Sequence, residues 1–197
     1  MKRLLPITSL ILASLSTFAQ LKVGDIAPSF HLKNVDGKMV SLDDYRSQKG
    51  VILIFTCNHC PYAIAYEDRI IALDKKYRPK GFPVVAINPN DVSIVPEDSY
   101  ENMQIRAKEK GFTFPYLYDA TQATANAYGA ERTPHVFLIK KSGNKFVVAY
   151  IGAIDDNYKD ATAVKTRYVE QAIEAIEAGK EPNPSTTKAI GCTVKRK

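Results

Sequence analysis

Two kinds of hydrophobic pattern alternate along the chain. Residues 51–55 form an apolar run without polar alternation, which is typical of a central strand covered on both faces. Residues 83–88 repeat this pattern and predict a second buried strand. Between the two runs, apolar residues recur at the spacing of one helix face, and prolines at 79 and 83 end the segment. The residues on this face are Ala63, Tyr66, Ile70, Leu73 and Tyr77.

The remaining segments continue the alternation of strands and helices. A turn around Asp36 and Gly37 joins residues 30–32 to 39–41 as an N-terminal β-hairpin. The later predicted elements are helices over 96–110, 121–128 and 161–178, and an antiparallel strand pair over 135–139 and 146–150. This order predicts an α/β fold with a central mixed β-sheet flanked by helices on both faces.

The first residues are typical of a secretory signal peptide, which we assign to residues 1–19. Lys2 and Arg3 precede an apolar stretch over residues 4–15, and small residues near position 19 suit a signal peptidase. That stretch is short for a membrane span, so an uncleaved anchor is the weaker alternative. We therefore expect a soluble chain that begins at Gln20, is exported to the periplasm or secreted, and is not stably inserted in a membrane.

Composition and charge narrow the function classes. Of the 197 residues, 45% are hydrophobic and 24% charged, which suits one domain with a sizeable core; we place it at residues 20–180, with a C-terminal tail at 181–197. The net charge of +6 falls to +4 without Lys2 and Arg3, because 25 basic residues then face 21 acidic ones. Basic residues cluster only at 195–197, so we expect no nucleic-acid partner.

A Cys-x-x-Cys pair follows the first buried strand and precedes the predicted helix. The unpaired N–H groups and partial positive charge of a helix N-terminus favour a thiolate, so we expect Cys57 to be the attacking thiol. Cys60 lies one turn further on and can resolve a mixed disulfide on Cys57. Pro61 predicts a late or distorted start of this helix. The pair would carry the electrons itself, so we expect no other cofactor.

Five segments, taken with their order along the chain, resemble a known superfamily. They are Val23 to Phe30, Phe55 to Pro61, Phe114 to Asp119, Tyr128 to Phe137 with its Thr-Pro step, and Tyr150 to Asp156. The chain resembles the thioredoxin-like superfamily and, within it, the redoxin or AhpC/TSA peroxiredoxin-like branch that carries a Cys-x-x-Cys motif.

The resemblance implies a thioredoxin-like fold and a thiol-disulfide oxidoreductase that contributes to redox homeostasis. It implies a cis peptide bond between Thr133 and Pro134, on a loop facing the cysteines. Thr133 would then offer its backbone to a substrate segment in the manner of an added strand. The expected partners are protein thiols or disulfides and a reducing or oxidising partner protein.

Two further residues are candidates for the redox site. His59 would tune the pair if its imidazole stabilises the Cys57 thiolate; the alternative is a solvated histidine in an exposed turn. Cys192, in a Gly-Cys step of the tail, is a candidate third redox cysteine. Its alternative is a free thiol on a mobile tail.

Other functions compete for the same cysteines. A thiol-dependent peroxidase would use Cys60, but Leu53 and Cys57 stand where the peroxiredoxin Pro-x-x-x-Thr-x-x-Cys motif has proline and threonine. A zinc site would need a second half, from Cys192 and His135, and no second Cys-x-x-Cys exists. A purely structural disulfide would close too short a loop to stabilise the fold much. A non-catalytic binding module is the alternative from another class.

Overall fold

A computed structural model of the protein describes residues 21–197, and the predicted signal peptide lies outside them. Its central sheet contains seven strands in the order β2-β1-β5-β4-β3-β7-β8, and β6 pairs separately with β9. The strands are β1 His31–Asn34, β2 Met39–Ser41, β3 Gly50–Phe55, β4 Val84–Asn88, β5 Tyr116–Tyr118, β6 Arg132–Thr133, β7 His135–Ser142, β8 Lys145–Gly152 and β9 Cys192–Thr193. The helices are α1 Pro61–Tyr77, α2 Tyr100–Lys110, α3 Ala123–Tyr128 and α4 Tyr168–Glu177.

The two apolar runs form the centre of the sheet, as the sequence predicts. Strands β3 and β4 are parallel, β7 runs antiparallel to β3, and every residue of β3 and β4 is buried. Alternate residues of β3 point to opposite faces. Ile52 and Ile54 pack with residues of α1, α2 and α4, whereas Leu53 and Phe55 pack with α3. The prediction of a mixed sheet with helices on both faces is confirmed.

Two predicted helices, those over 96–110 and 161–178, start four or more residues later than expected. Residues 96–98 form a separate 3-10 turn, and α2 starts only after Ser99, whose hydroxyl accepts the Asn102 N–H at 3.3 Å. The last helix starts at Tyr168 rather than at residue 161. There the Asp156 carboxylate accepts the N–H groups of residues 165 and 166, at 3.0 and 3.1 Å, which holds this stretch outside the helix.

The tail returns to the domain instead of extending from it. Residues 185–187 exchange backbone hydrogen bonds with Ile151 of β8, at 3.1 and 2.9 Å. Strand β9 then pairs antiparallel with β6. This path brings the C-terminal residues to the side of the sheet where the cysteine pair lies. In the part of the chain that the structure describes, no helix has the length and apolar character needed to cross a membrane.

Candidate active site

The Cys-x-x-Cys loop connects the central strand to the first long helix. Strand β3 ends at Phe55, and Cys60 is the residue directly before α1. Pro61 is the first helical residue, where its missing N–H removes no helical hydrogen bond. The late helix start that Pro61 predicted is confirmed. Cys60, rather than Cys57, therefore lies next to the unpaired N–H groups of the helix.

The two sulfur atoms and Thr133 form one buried contact. Cys57 is 3% exposed and Cys60 is fully buried, and their side chains pack in one cluster. The Cys57 Sγ lies 3.3 Å from the Thr133 hydroxyl, and the Cys60 thiol donates to the Thr133 carbonyl at 3.2 Å. The peptide bond between Thr133 and Pro134 is cis, as the resemblance implied. Both cysteines are free thiols, so the structure describes the reduced form of the pair.

The environment separates the acidities of the two thiols. The neighbouring Cys57 thiol lowers the pKa of Cys60, with further help from Cys192 and from the Ala63 N–H. The neighbouring Cys60 sulfur, burial and the negative charge of Asp98 raise the pKa of Cys57. Cys60 is therefore the thiol of the pair that ionises more easily, which differs from our expectation for Cys57. The attacking role of Cys57 stays a prediction, since attack also requires access and only Cys57 retains exposed surface.

The Asp98 carboxylate holds the loop between the two cysteines through hydrogen bonds. Its side chain is fully buried, and one carboxylate oxygen accepts the Asn58 N–H at 2.7 Å. The other oxygen contacts the His59 Nδ1 at 2.6 Å and accepts from the Asn90 amide at 2.7 Å. The Asn58 side-chain oxygen in turn accepts from the Tyr116 hydroxyl at 2.9 Å. These bonds fix the loop between the two cysteines.

His59 is neither fully solvated nor in hydrogen-bond contact with a sulfur. Its side chain is 25% exposed, and its recorded partner is Asp98. A ring nitrogen of His59 and the Cys57 Sγ lie within 4.8 Å of each other, and the imidazole also contacts the carboxylate whose charge raises the pKa of that thiol. The role of His59 in tuning the pair stays a prediction.

The side chains that could bind a metal ion in this site already take part in hydrogen bonds. Among the described residues, Cys57, His59 and Asp98 hold ligand atoms within 4.8 Å of one another. Both Asp98 oxygens already accept hydrogen bonds from the loop, so binding an ion would break them. His135, considered for zinc in the sequence, lies outside this group; its Nδ1 accepts the Glu131 N–H at 3.3 Å. We therefore assign no metal to this site.

The tail occupies the place that the resemblance gave to a substrate. Thr133 is fully buried, and Cys192 of β9 lies opposite it in the antiparallel pair. The Cys192 side chain packs against the cluster of Cys57, Cys60 and Ala63. A substrate strand could use Thr133 only after β9 leaves, so the substrate-binding role of Thr133 and Pro134 stays a prediction. The alternative of a free thiol on a mobile tail does not describe this docked strand.

Asp98 and the pairing of β9 were missed in the sequence. In the sequence Asp98 falls in the first turn of the helix predicted over 96–110, where an acid suits the helix dipole and needs no further explanation. Its partners lie about 40 residues away, and no local pattern signals such a contact. The tail carried one signal, a glycine followed by a cysteine, but not its docking position.

The fold and the site together define a class of protein: a thioredoxin-like domain with a cysteine pair at the start of a helix. The family model described as the AhpC/TSA family matches residues 23–148, which is more than half of the chain. The chain belongs to the AhpC/TSA family.

The chain is also similar to individual proteins and solved structures. The thiol-disulfide oxidoreductase ResA of Geobacillus thermodenitrificans is 32% identical over 124 residues, which are 61% of this chain and span 65% of that relative's length. A crystal structure of a conserved protein from Geobacillus kaustophilus superposes with a TM-score of 0.83 at 37% identity, covering 90% of this chain and 94% of the other. A protein from Sinorhizobium meliloti gives a TM-score of 0.82 at 29% identity, covering 91% and 97%.

Proposed function

We propose that the protein is a thiol-disulfide oxidoreductase in which Cys57 and Cys60 cycle between dithiol and disulfide. The observation that carries the proposal is the packing of Cys57 against Cys60, which lies directly before α1. Two thiols in contact can close into a disulfide with little movement of the backbone, and the lowered pKa of Cys60 supports exchange near neutral pH. The relatives named thiol-disulfide oxidoreductases support the same activity.

The proposed cycle uses both sulfurs in turn. Cys60 first loses its proton to solvent, and its thiolate takes the proton of Cys57. The Cys57 thiolate then attacks a disulfide of the partner protein. One partner sulfur leaves as a thiolate, and a mixed disulfide on Cys57 remains. Cys60 then loses its proton and attacks the Cys57 sulfur, forming the Cys57–Cys60 disulfide and releasing the second partner thiolate. Two electrons pass from the pair to the partner, and the reverse sequence oxidises a partner dithiol.

The reduction potential of the pair tests the proposal. Equilibration with glutathione buffers should give a single two-electron transition in which the Cys57–Cys60 disulfide closes. Alkylation of the remaining thiols and mass spectrometry measure the reduced fraction in each buffer. A pair that stays reduced in every glutathione buffer, or that closes no intramolecular disulfide, would contradict the proposal.

The same titration examines the proposed tuning by His59. In a His59→Ala variant the Asp98 carboxylate loses its imidazole partner, so it should repel the negative charge of the ionised pair more strongly. This repulsion disfavours the reduced form, and the potential should fall by tens of millivolts, since about 30 mV corresponds to a tenfold change in the equilibrium constant. An unchanged potential would remove this role.

We extend the proposal to export, with protein partners in an oxidising or redox-controlled compartment outside the cytoplasm. Its support is the sequence pattern of Lys2, Arg3 and the apolar residues that follow. Protein purified from the cells that make it should begin at Gln20. A full-length chain retained in the cytoplasmic fraction would refute the proposed export without touching the chemistry of the pair.

A further inference from the structure

The C-terminal tail covers the cysteine pair as an added strand. Strand β9 places Cys192 directly opposite Thr133, whose carbonyl also accepts from Cys60. Directly after β9, the Val194 N–H donates to the Glu131 carbonyl at 2.9 Å. The tail therefore binds in the backbone position that a substrate strand would use.

The tail is fitted to this position on both sides of Cys192. A Cβ atom on Gly191 would lie 2.3 Å from the Thr133 carbonyl oxygen, so only glycine permits the close approach. After the strand, the Lys195 N–H donates to the Asn90 side chain at 2.9 Å, and the Lys195 carbonyl accepts the Asp91 N–H at 3.0 Å. Cys192 is thus held between two anchored points.

Cys192 is the sulfur nearest to solvent in this site. It is partly exposed, whereas Cys57 is 3% exposed and Cys60 is fully buried. Its side chain packs against the cluster that contains Cys57 and Cys60. Thiol–disulfide exchange requires an attacking sulfur to reach the disulfide directly. With the tail in place, a partner sulfur reaches Cys192 more readily than either member of the pair.

We propose that Cys192 is a third redox-active cysteine that exchanges with the Cys57–Cys60 disulfide and brings its oxidation state to the surface. This inference rests on the function proposed above and adds the route by which partners reach the buried pair. It also gives the docked tail a role, since the strand that covers the pair supplies the sulfur that replaces direct access.

The proposed exchange balances without an added oxidant. The Cys192 thiol releases its proton to solvent, and its sulfur attacks Sγ of Cys60. The Cys57–Cys60 bond breaks, the Cys60–Cys192 bond forms, and the electron pair goes to Cys57, which takes up a proton. A partner thiolate then attacks Cys192, forming a mixed disulfide with it and releasing Cys60 as a thiolate.

Oxidation of the pair removes an obstacle to this step. In the reduced site, burial and then the neighbouring Cys60 raise the pKa of Cys192 to about 11. When Cys60 is part of a disulfide it carries no charge, so only burial still raises the pKa, while Lys195 lowers it. Cys192 therefore ionises more readily when the pair is oxidised, which is the state in which its sulfur attacks.

Disulfide mapping of the oxidised full chain tests the proposal. Trypsin leaves Cys57 and Cys60 in one peptide, residues 50–69, and Cys192 in another, residues 189–195, so a Cys60–Cys192 bond joins two peptides. We expect the joined peptides as a fraction of the wild type and as the main product of a Cys57→Ser variant oxidised with diamide. Their absence from both chains would overturn the inference. If the wild type then still closes Cys57–Cys60, the proposed function stands; if it closes no disulfide at all, the proposed function fails as well.

A rate measurement separates redox work from mere covering. Reduction of the oxidised chain by glutathione should be at least about tenfold slower in Cys192→Ser, because the strand still covers the pair but lacks the sulfur. In Gly191→Ala the added Cβ displaces the strand, so the joined peptides should disappear while glutathione reduction is not slowed. Reduction of Cys192→Ser at the wild-type rate would contradict the proposed relay.

Discussion

Replacing Cys60 with serine should trap a substrate on Cys57 and lower exchange turnover by at least about a hundredfold. The serine hydroxyl cannot attack the mixed disulfide, so the second half of the cycle stops after the first bond has formed. The experiment is best done in a Cys192→Ser background, because Cys192 packs against the pair and could resolve the adduct in place of Cys60. Insulin serves as the substrate, and mass spectrometry of the unreduced protein detects an insulin chain bound to Cys57.

The matched control is Cys57→Ser in the same background. If Cys57 attacks first, this chain should form no stable adduct and should also lose turnover. A stable adduct on Cys60 instead would show that the thiol with the lowered pKa attacks first, and would reverse the two roles. If the wild type itself shows no turnover of insulin, the non-catalytic binding module is favoured. Rapid peroxide consumption that depends on Cys60 alone would favour the peroxidase alternative.

The elements around the cysteines could be predicted because their signals are local. An unbroken apolar run means burial on both faces wherever it occurs, and Pro61 limits the start of α1 by its own missing N–H. The two helix starts that were predicted too early had the right composition. Their true starts depend on side chains that bind the backbone nearby, Ser99 in one case and Asp156 in the other.

The candidate site could be predicted only in part, because its control depends on distant segments. The cysteine pair is visible as a motif, but the charge that raises the pKa of Cys57 comes from Asp98, in a different segment. The strand that covers Thr133 carries Cys192, which lies near the last described residue and far from Thr133 in the sequence. Such contacts follow from the path of the whole chain, which composition and spacing do not record.

Acidification should destabilise the fold through His135, at the first position of β7. Burial, and then the positive charge of Arg132, lower the pKa of this imidazole to about 4. Its Nδ1 accepts the Glu131 N–H, a bond that requires the neutral ring. In the unfolded chain the pKa is near 6.5. Between these values the unfolded state binds a proton that the folded state does not, so the free energy of unfolding falls as the pH falls from about 6.5 to 4.

The expected loss is about 3 kcal/mol over this pH range, since each pKa unit corresponds to about 1.4 kcal/mol. Denaturant unfolding at pH 7 and at pH 4 measures it, compared with His135→Gln, which keeps an acceptor but cannot be protonated. That variant should be less stable at pH 7, because it loses the ring packed 4.6 Å from Phe137, yet should lose less stability on acidification. His31→Gln, on the exposed face of the hairpin, is the matched control. Equal acid sensitivity in the wild type and His135→Gln would contradict this prediction. It would mean that the folded protein protonates this imidazole as readily as the unfolded chain does.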